Sequence, residues 1–464
     1  MKLKIKILWM ITFLSPFFVL SQSVPDLEDL IQAAIANDGN LNQQKLQHQI
    51  TQLSDERLKD IFLPKVNLTA QTGYLYTSTN YKTPGLHIPL IEELELNIPQ
   101  RTNRLNISGI SATAKAEASM LIYSGGKVKY LKEANREKGK SEQILMEKTI
   151  DDIIVEISKA YDQFSLLHHS KLVLDASKDR LAINRKTADK ALSYGLITPY
   201  DHQKIELAQA ILDSKLIEYE GKRELLITQL HLLTGMERER IANIDPVLQP
   251  IDYLVSSTEV DQRAEIRALE HGIQAAENKI KAEEKWWVPK VMAKASVAYM
   301  GLYEGKITTS DEIISGSNYR LDLNPNRLHI FPMVQAGIGF QWDIFDGREG
   351  KTNVAEAQIN KEILIQKKNE AEKLLKLNLA NNQTEFEIAY AQIELKNKEV
   401  ELAQKALKNI EKEFRYGTKT SSVLIEAEND LLNAELELQT AIFNQRRNAI
   451  ELMRSTQNLK IENL

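Results

Sequence analysis

Two hydrophobic rhythms run through the chain. The first is strict alternation. Val334, Ala336, Ile338, Phe340, Trp342 and Ile344 share one side of an extended stretch, with Gln335, Gly337, Gly339, Gln341 and Asp343 on the other. Val66, Leu68, Ala70, Thr72, Tyr74 and Tyr76 repeat the pattern against Asn67, Thr69, Gln71 and Gly73. Four strands are expected, at 65–76, 108–123, 290–303 and 333–345. The second is ambiguous, because Ser111-Ala-Thr-Ala-Lys-Ala-Glu-Ala-Ser119 joins strong helix formers to an alternating pattern. The clear strand at the corresponding place later in the chain decides for strand. About ten alternating residues ending in tyrosines fit a membrane-barrel strand, though the pattern alone fits a soluble amphipathic strand slightly better.

The second rhythm is helical. Val24 to Phe62 reads as one helix, with Asp26 as N-cap and Leu27, Leu30, Ile31 and Ala34 opening its apolar stripe. From Lys127 to Leu192 no proline interrupts, and Ile150, Ile153, Ile154, Ile157, Tyr161, Phe164 and Leu167 form one stripe. Such a helix spans roughly 100 Å, far beyond a compact domain. A turn at Tyr194-Gly195 leads into a helix with Pro199 in its first turn and Asp201 just inside, closed by Thr234-Gly235. Residues 77–105, with Pro84, Gly85, Pro89 and Pro99, read as a long loop, as does the stretch carrying Gly305, Gly316, Pro325 and Pro332.

The rhythms occur twice. Tyr194-Gly195, Thr198 and Glu206 match Tyr416-Gly417, Thr420 and Glu428 at a shift of 222 positions. After the first turn Ile205, Leu212, Tyr219, Leu226 and Leu233 fall seven apart; after the second, Leu424, Ala427, Leu431, Ala434, Leu438 and Ala441 alternate by three and four. Leu63-Pro64-Lys65-Val66 is echoed by Val288-Pro289-Lys290-Val291, and Tyr123-Ser-Gly125 by Phe345-Asp-Gly347. The chain is therefore two copies of one unit. Repeat one is expected over 22–235, with its hairpin at 127–233, and repeat two over 261–464, with a helix from Val260 to Trp287 and a hairpin at 348–457. A joint at 236–260 carries Pro246 and Pro250.

Composition narrows the function. Lys2, Lys4 and Lys6, an apolar run from Ile7 to Leu20, and Val19-Leu20-Ser21 before Gln22 read as a signal peptide at residues 1–21, an uncleaved anchor being the alternative. Its removal takes the formal charge from −5 to −8, which does not favour nucleic acid as a partner. There is no cysteine, so disulfides, thiol chemistry and lipid attachment at an N-terminal cysteine are excluded. His168 and His169, adjacent in a helix and hence about 100° apart, do not converge on one ion. No metal-ligand spacing, Ser/His/Asp arrangement or glycine-rich phosphate loop occurs, so neither an enzyme nor a bound cofactor is expected.

Four strands cannot close a barrel, and lipid does not tolerate open strand edges. If these strands enter a membrane, several chains must share one barrel. Here the chain resembles the TolC-type outer membrane efflux proteins over nearly all of its mature length. The resemblance rests on Pro64 and Pro289 before the strands, Phe345-Asp346-Gly347 after the last one, the helix start Arg263-Ala-Glu-Ile-Arg-Ala-Leu-Glu270, and the two Tyr-Gly turns. It implies a mainly α fold with a membrane β portion: a homotrimer whose twelve strands close one barrel in the outer membrane and whose twelve long helices form a periplasmic tunnel. A periplasmic adaptor and an inner-membrane pump would complete the exit duct of an efflux or type I secretion system.

The resemblance also implies roles. Tyr194, Gly195, Leu196 and Thr198, with Tyr416, Gly417, Thr418 and Thr420, would form the adaptor-docking tip. Lys419 and Asp201 would hold the entrance shut, and Phe414 stands where the family pattern has a tyrosine hydroxyl. Glu426 would be one of two pore acids, Val423 replacing the other. A plain helix hairpin explains each turn equally, and a solvated helix face explains Glu426. The competing reading of the whole is an exported coiled-coil adaptor or scaffold. Cargo is not legible.

Overall fold

The computed structural model describes residues 24–91, 94–98, 100–244, 248–252, 260–309, 320–456, 459 and 461–463. The expected signal peptide lies outside them, as do Gly316 and parts of the 236–260 joint. In chain order the helices are α1 Leu27–Asn37, α2 Gly39–Asp60, α3 Lys127–Ser193, α4 Pro199–Thr234, α5 Arg238–Ala242, α6 Ala264–Glu283, α7 Glu349–Arg415 and α8 Ser421–Ser455. The strands are β1 Lys65–Thr83, β2 Leu86–Ile91, β3 Leu94–Ile98, β4 Arg101–Tyr123, β5 Lys290–Thr309, β6 Asp322–Leu323 and β7 Arg327–Gln341. Among the described residues no helix is long and apolar enough to cross a membrane.

The chain divides into two compact units, each drawing on both halves of the sequence. The unit built from Gln49–Lys140 and His271–Ile365 contains the sheet. Its long strands lie antiparallel in the order β1, β4, β5, β7, with the short β6 sharing the far side of β5; β2 and β3 pair separately. Ala114, at the heart of the ambiguous stretch, pairs with Ala70 on one side and Tyr299 on the other. Two flanking ladders override its helix propensity. Register puts one apolar face across all four strands: Val66, Ala118, Ala295 and Ala336 form one row, and Leu68, Ala116, Val297 and Val334 the next. The opposite face carries Asn67, Glu117, Ser296 and Gln335 in one row. On the apolar face Leu68 is 77% and Ile338 75% exposed. That area of apolar surface needs a cover other than water.

Several boundaries differ from expectation, among them the end of β5, at Thr309 rather than 303. The strands run well past Tyr76 and begin before Ser108, because Ser78, Asn80, Asn103 and Asn106 continue the ladder with polar side chains. A ladder needs backbone partners, not hydrophobicity. Likewise Pro332 sits inside β7, where the register shifts opposite Ala298 and Met300; a bulge on an edge strand accommodates a residue with no N–H. The first helix is two helices, broken at Asp38, whose backbone is extended (ψ 119°) and whose carboxylate accepts from Leu41 N at 2.5 Å. The expected cap at Asp26 is a capping box with Asp29. At the exit of the last strand, which ends at Gln341 rather than at 345, Asp346 accepts from the N–H groups of Arg348 (3.0 Å) and Gly350 (2.7 Å) and so opens α7.

The second unit comprises residues up to His48, Ser141–Glu270 and Gln366–Leu464. One core joins Leu30, Ile31 and Leu41 of the first helices to Ile153, Ile154, Ile157 and Phe164 of α3 and Leu226, Ile227 and Leu230 of α4. The α3 residues belong to the predicted stripe. Where the joint passes α8, Gln445 holds both backbone groups of Ile251 (N at 2.9 Å, O at 2.6 Å), and Arg446 donates to Asp162 (2.8 Å) and Gln249 O (2.9 Å). Burial pushes the Asp162 carboxyl up to about 6 against the opposing pull of Arg446.

Candidate functional site

The two hairpin turns lie in the second unit, at the ends of α3/α4 and α7/α8. Both are built the same way, because both put glycine where the backbone turns left-handed: Gly195 has φ 68° and Gly417 φ 76°. Gly195 N donates to Leu192 O (3.0 Å) and Leu196 N to Ala191 O (2.8 Å). In the second turn Gly417 N donates to Phe414 O and Thr418 N to Glu413 O, both at 2.9 Å. These bonds satisfy the last carbonyls of the incoming helix.

Above that frame the tip is apolar and open. Tyr194 is 78%, Leu196 76% and Tyr416 84% exposed. Below it the helix ends share one core of Leu181 and Ala188 (α3), Ile205 (α4), Leu407 and Phe414 (α7), and Leu424, Ala427 and Leu431 (α8). Phe414, expected at the gate, is thus a packed core residue, 7% exposed.

Asp201 and Lys419 have different partners within the chain. Asp201 completes a capping box with Thr198: its carboxylate accepts from Thr198 N (3.3 Å) and Oγ1 (2.7 Å), and its N–H donates to Thr198 Oγ1 (3.2 Å). The Thr198 hydroxyl above all holds its carboxyl below the usual aspartate value. Lys419 Nζ lies 3.9 Å from Glu413, and both side chains are half exposed. The hairpins are nonetheless tied, since Ser421 Oγ donates to Asp201 O (3.1 Å) and Lys204 Nζ to Ser422 Oγ (2.7 Å). Sequence reading missed both serines, which lie in the first turn of α8 behind its N-cap Thr420, where nothing in the sequence marks a bond to another helix.

Glu426 stands exposed on α8 between two grooves, one against α4 (Leu207, Ile211, Ile425) and one against α7 (Leu402, Ile410, Val423). Asp430 borders the same two grooves one turn on, so the acidic ridge is longer than the single residue expected. Glu428, by contrast, is buried and receives Arg180 Nε (3.1 Å) and Asn184 Nδ2 (3.3 Å). The rings of His168 and His169 lie 5.6 Å apart, edge to face. Among the described residues no group of three or more His, Cys, Asp or Glu is placed to hold a metal ion.

A sheet apolar on one face and polar on the other, joined in sequence to paired helical hairpins, is the fold of outer membrane channels. The chain shares it with CusC (15% identity, 93% of this chain and 91% of that one, TM-score 0.70). It shares it also with the outer membrane protein VceC of Vibrio cholerae (17%, 93% and 95%, 0.68). The open state of the MtrE outer membrane channel of Neisseria gonorrhoeae is similar too (17%, 94% and 90%, 0.63). No curated protein matches the sequence. Residues 255–457 match the family model of the outer membrane efflux protein. Over those residues the chain is similar to that family.

Proposed function

We propose that three copies of the chain close one twelve-stranded barrel across the outer membrane of a Gram-negative cell. The assembly serves as the exit duct of a tripartite efflux or type I secretion system. The observation that carries this is the sheet: four long strands, a mainly apolar face crossed by one row with Thr72 and His329, and free edges at β1 and β7. Lipid demands that such edges be paired, and a second copy offers β1 to β7 without any new element. The polar face, with Gln71, Thr113, Lys294 and Gly337, lines the lumen.

The exposed tip residues Tyr194, Leu196 and Tyr416 dock a periplasmic adaptor, which connects the duct to an inner-membrane pump. Asp201 and Lys419 bias the entrance towards closure between copies, and Glu426 with Asp430 faces the pore. Expected of the mature protein, extracted from outer membranes in mild detergent, is a native mass of three chains. A water-soluble monomer or dimer in the periplasmic fraction would refute the duct.

A further inference from the structure

The two rims of the sheet's apolar face are chemically unlike. At the rim that leads into the helices the face ends in Ile338, Phe340 and Trp342, with Trp342 Nε1 donating to Trp287 O at 2.8 Å. At the opposite rim it ends in tyrosines and bases. Cross-strand partners share a face, and so do alternate residues along a strand. Arg327 pairs with Tyr303, Tyr303 with Ile110 and Ile110 with Tyr74, so Arg327 lies in the Tyr74 row of the apolar face. Lys306 pairs with Ser108, the partner of Tyr76. Further up the same face stand Arg104, opposite Asn80, and Lys82, opposite Thr102. All four bases are exposed. Among the described residues, two exposed acids stand near them: Asp322, paired with Thr308, and Glu304, in the bulge between Tyr303 and Lys306.

The tyrosines make this rim a fixed platform. The hydroxyls of Tyr299 and Tyr303 meet at 2.7 Å over Gly301, where a Cβ would come within 2.7 Å of the Tyr299 hydroxyl. The Arg327 guanidinium lies 5.7 Å from the centre of the Tyr303 ring. From Val66 to Tyr76 the apolar band rises about 33 Å along the strand, or some 25 Å once tilted, which is the height of a hydrocarbon layer. Arg327 and Lys306 therefore sit where acyl chains give way to headgroups, and Arg104 and Lys82 stand about 13 and 20 Å further along the strand.

We infer that this rim is a binding belt for phosphorylated glycolipids of the outer leaflet. Such lipids present anionic phosphate at the headgroup level and further charge on the sugars above. The inference rests on the sheet being membrane-spanning. Arginine and lysine match phosphate by charge and, for arginine, by a two-pronged donor geometry. Lys82 on the edge strand β1 and Arg327 on the edge strand β7 bring the bases to both free edges, so closing the barrel continues the belt from copy to copy.

The test reconstitutes the full chain in phosphatidylcholine nanodiscs doped with a bis-phosphorylated lipid A or with its dephosphorylated form, and counts retained glycolipid by native mass spectrometry. The phosphorylated form is enriched and the dephosphorylated form is not. Lys82→Gln/Arg104→Gln/Lys306→Gln/Arg327→Gln lowers enrichment by about fivefold per base removed. The pair Lys82→Gln/Arg104→Gln, above the apolar band, carries the test if the fourfold variant fails to assemble. Equal enrichment of both lipids, or unchanged counts in the variants, overturns the inference; so does displacement by inorganic phosphate, which would make the patch a soluble-anion site. Protein that enters no bilayer at all overturns instead the membrane-spanning reading, and this belt with it.

Discussion

The two hairpin tips are copies in sequence and unequal in structure. Both turn through a left-handed glycine with the same pair of backbone hydrogen bonds. Thr198 caps its helix in a reciprocal box with Asp201, whereas Thr420 makes no side-chain cap bond, and Val423, three positions on, has no acceptor for the Thr420 N–H. The matched glutamates diverge further. Glu206 is exposed beside Arg185 (3.0 Å), while Glu428 is buried against Arg180 and Asn184. The cause is packing: α8 turns Leu424, Ala427 and Leu431 into the shared tip core, while α4 gives Ile205 to it and leaves Leu207 and Ile211 exposed. Duplication preserved the turn and freed the two copies to carry different loads. The first tip is locally reinforced; the second is held by its neighbours.

The largest effect expected is at the glutamates. Arg180→Ala leaves Glu428 buried without its cation and destabilises the helical unit by about 3 kcal/mol, the low end for such pairs because Arg180 is a quarter exposed. Glu206→Ala costs less than ~0.5 kcal/mol. Denaturant midpoints of the detergent-solubilised protein measure both. The pH dependence has a defined sign. Burial raises the Glu428 carboxyl above its ordinary value, and Arg180 opposes that rise, so its loss raises the carboxyl further. A raised acid favours the fold when protonated, hence the Arg180→Ala penalty shrinks as pH falls. A penalty independent of pH would mean that Glu428 is not the group left stranded.

Next in size are the caps. Thr198→Ala loses about 1 kcal/mol, Thr420→Ala almost nothing, and Val423→Glu gains about 0.5–1 kcal/mol by completing the box at the second tip. Amide exchange in the first turns of α4 and α8 reads each change locally. The Asp201 carboxyl is depressed, so its contribution is present above the ordinary aspartate range and fades as pH falls through its lowered value. The difference between Thr198→Ala and the parent therefore narrows in acid. Equal exchange at the two tips in the parent protein would remove the asymmetry.

What the sequence displayed well was whatever rests on period and turn chemistry. Alternation at Val334–Ile344 located β7, and the Tyr-Gly pairs located both tips, since a left-handed turn admits few residues besides glycine. Strand ends were hidden, because Asn80 and Arg104 pair through their backbones and carry no hydrophobic signal. The break at Asp38 was hidden for the converse reason: the apolar stripe continues across it to Leu41, whose side chain joins the same core as Leu30. The burial of Phe414 was not legible either, because a ring with no polar atom carries no sign of which helices it packs between.

Smaller effects come from the charges that no core holds. Lys419→Ala removes an exposed cation of about 0.2–1 kcal/mol pairing strength. If Lys419 holds the proposed trimer's entrance, three such losses raise the resting conductance of reconstituted channels, more so with Asp201→Ala, which also opens the cap. Unchanged conductance in both removes Lys419 from the gate and leaves its contact with Glu413 as a surface pair.

The smallest change expected is at Glu426. It is exposed and shares its ridge with Asp430, so Glu426→Gln removes only part of the local negative charge. On the proposed trimer Val423 adds no acid to a ring of three Glu426 residues, and block by divalent cations falls only a few-fold, which 1 kcal/mol or less accounts for. Adding Asp430→Asn deepens the loss if the ridge faces the lumen. If it faces outward, neither change moves the block, and Glu426 is a solvated helix position. Because α8 is the better-packed helix of the second tip, a pore role would place selectivity on the hairpin that lacks its own cap, and opening that hairpin would move the charges with it.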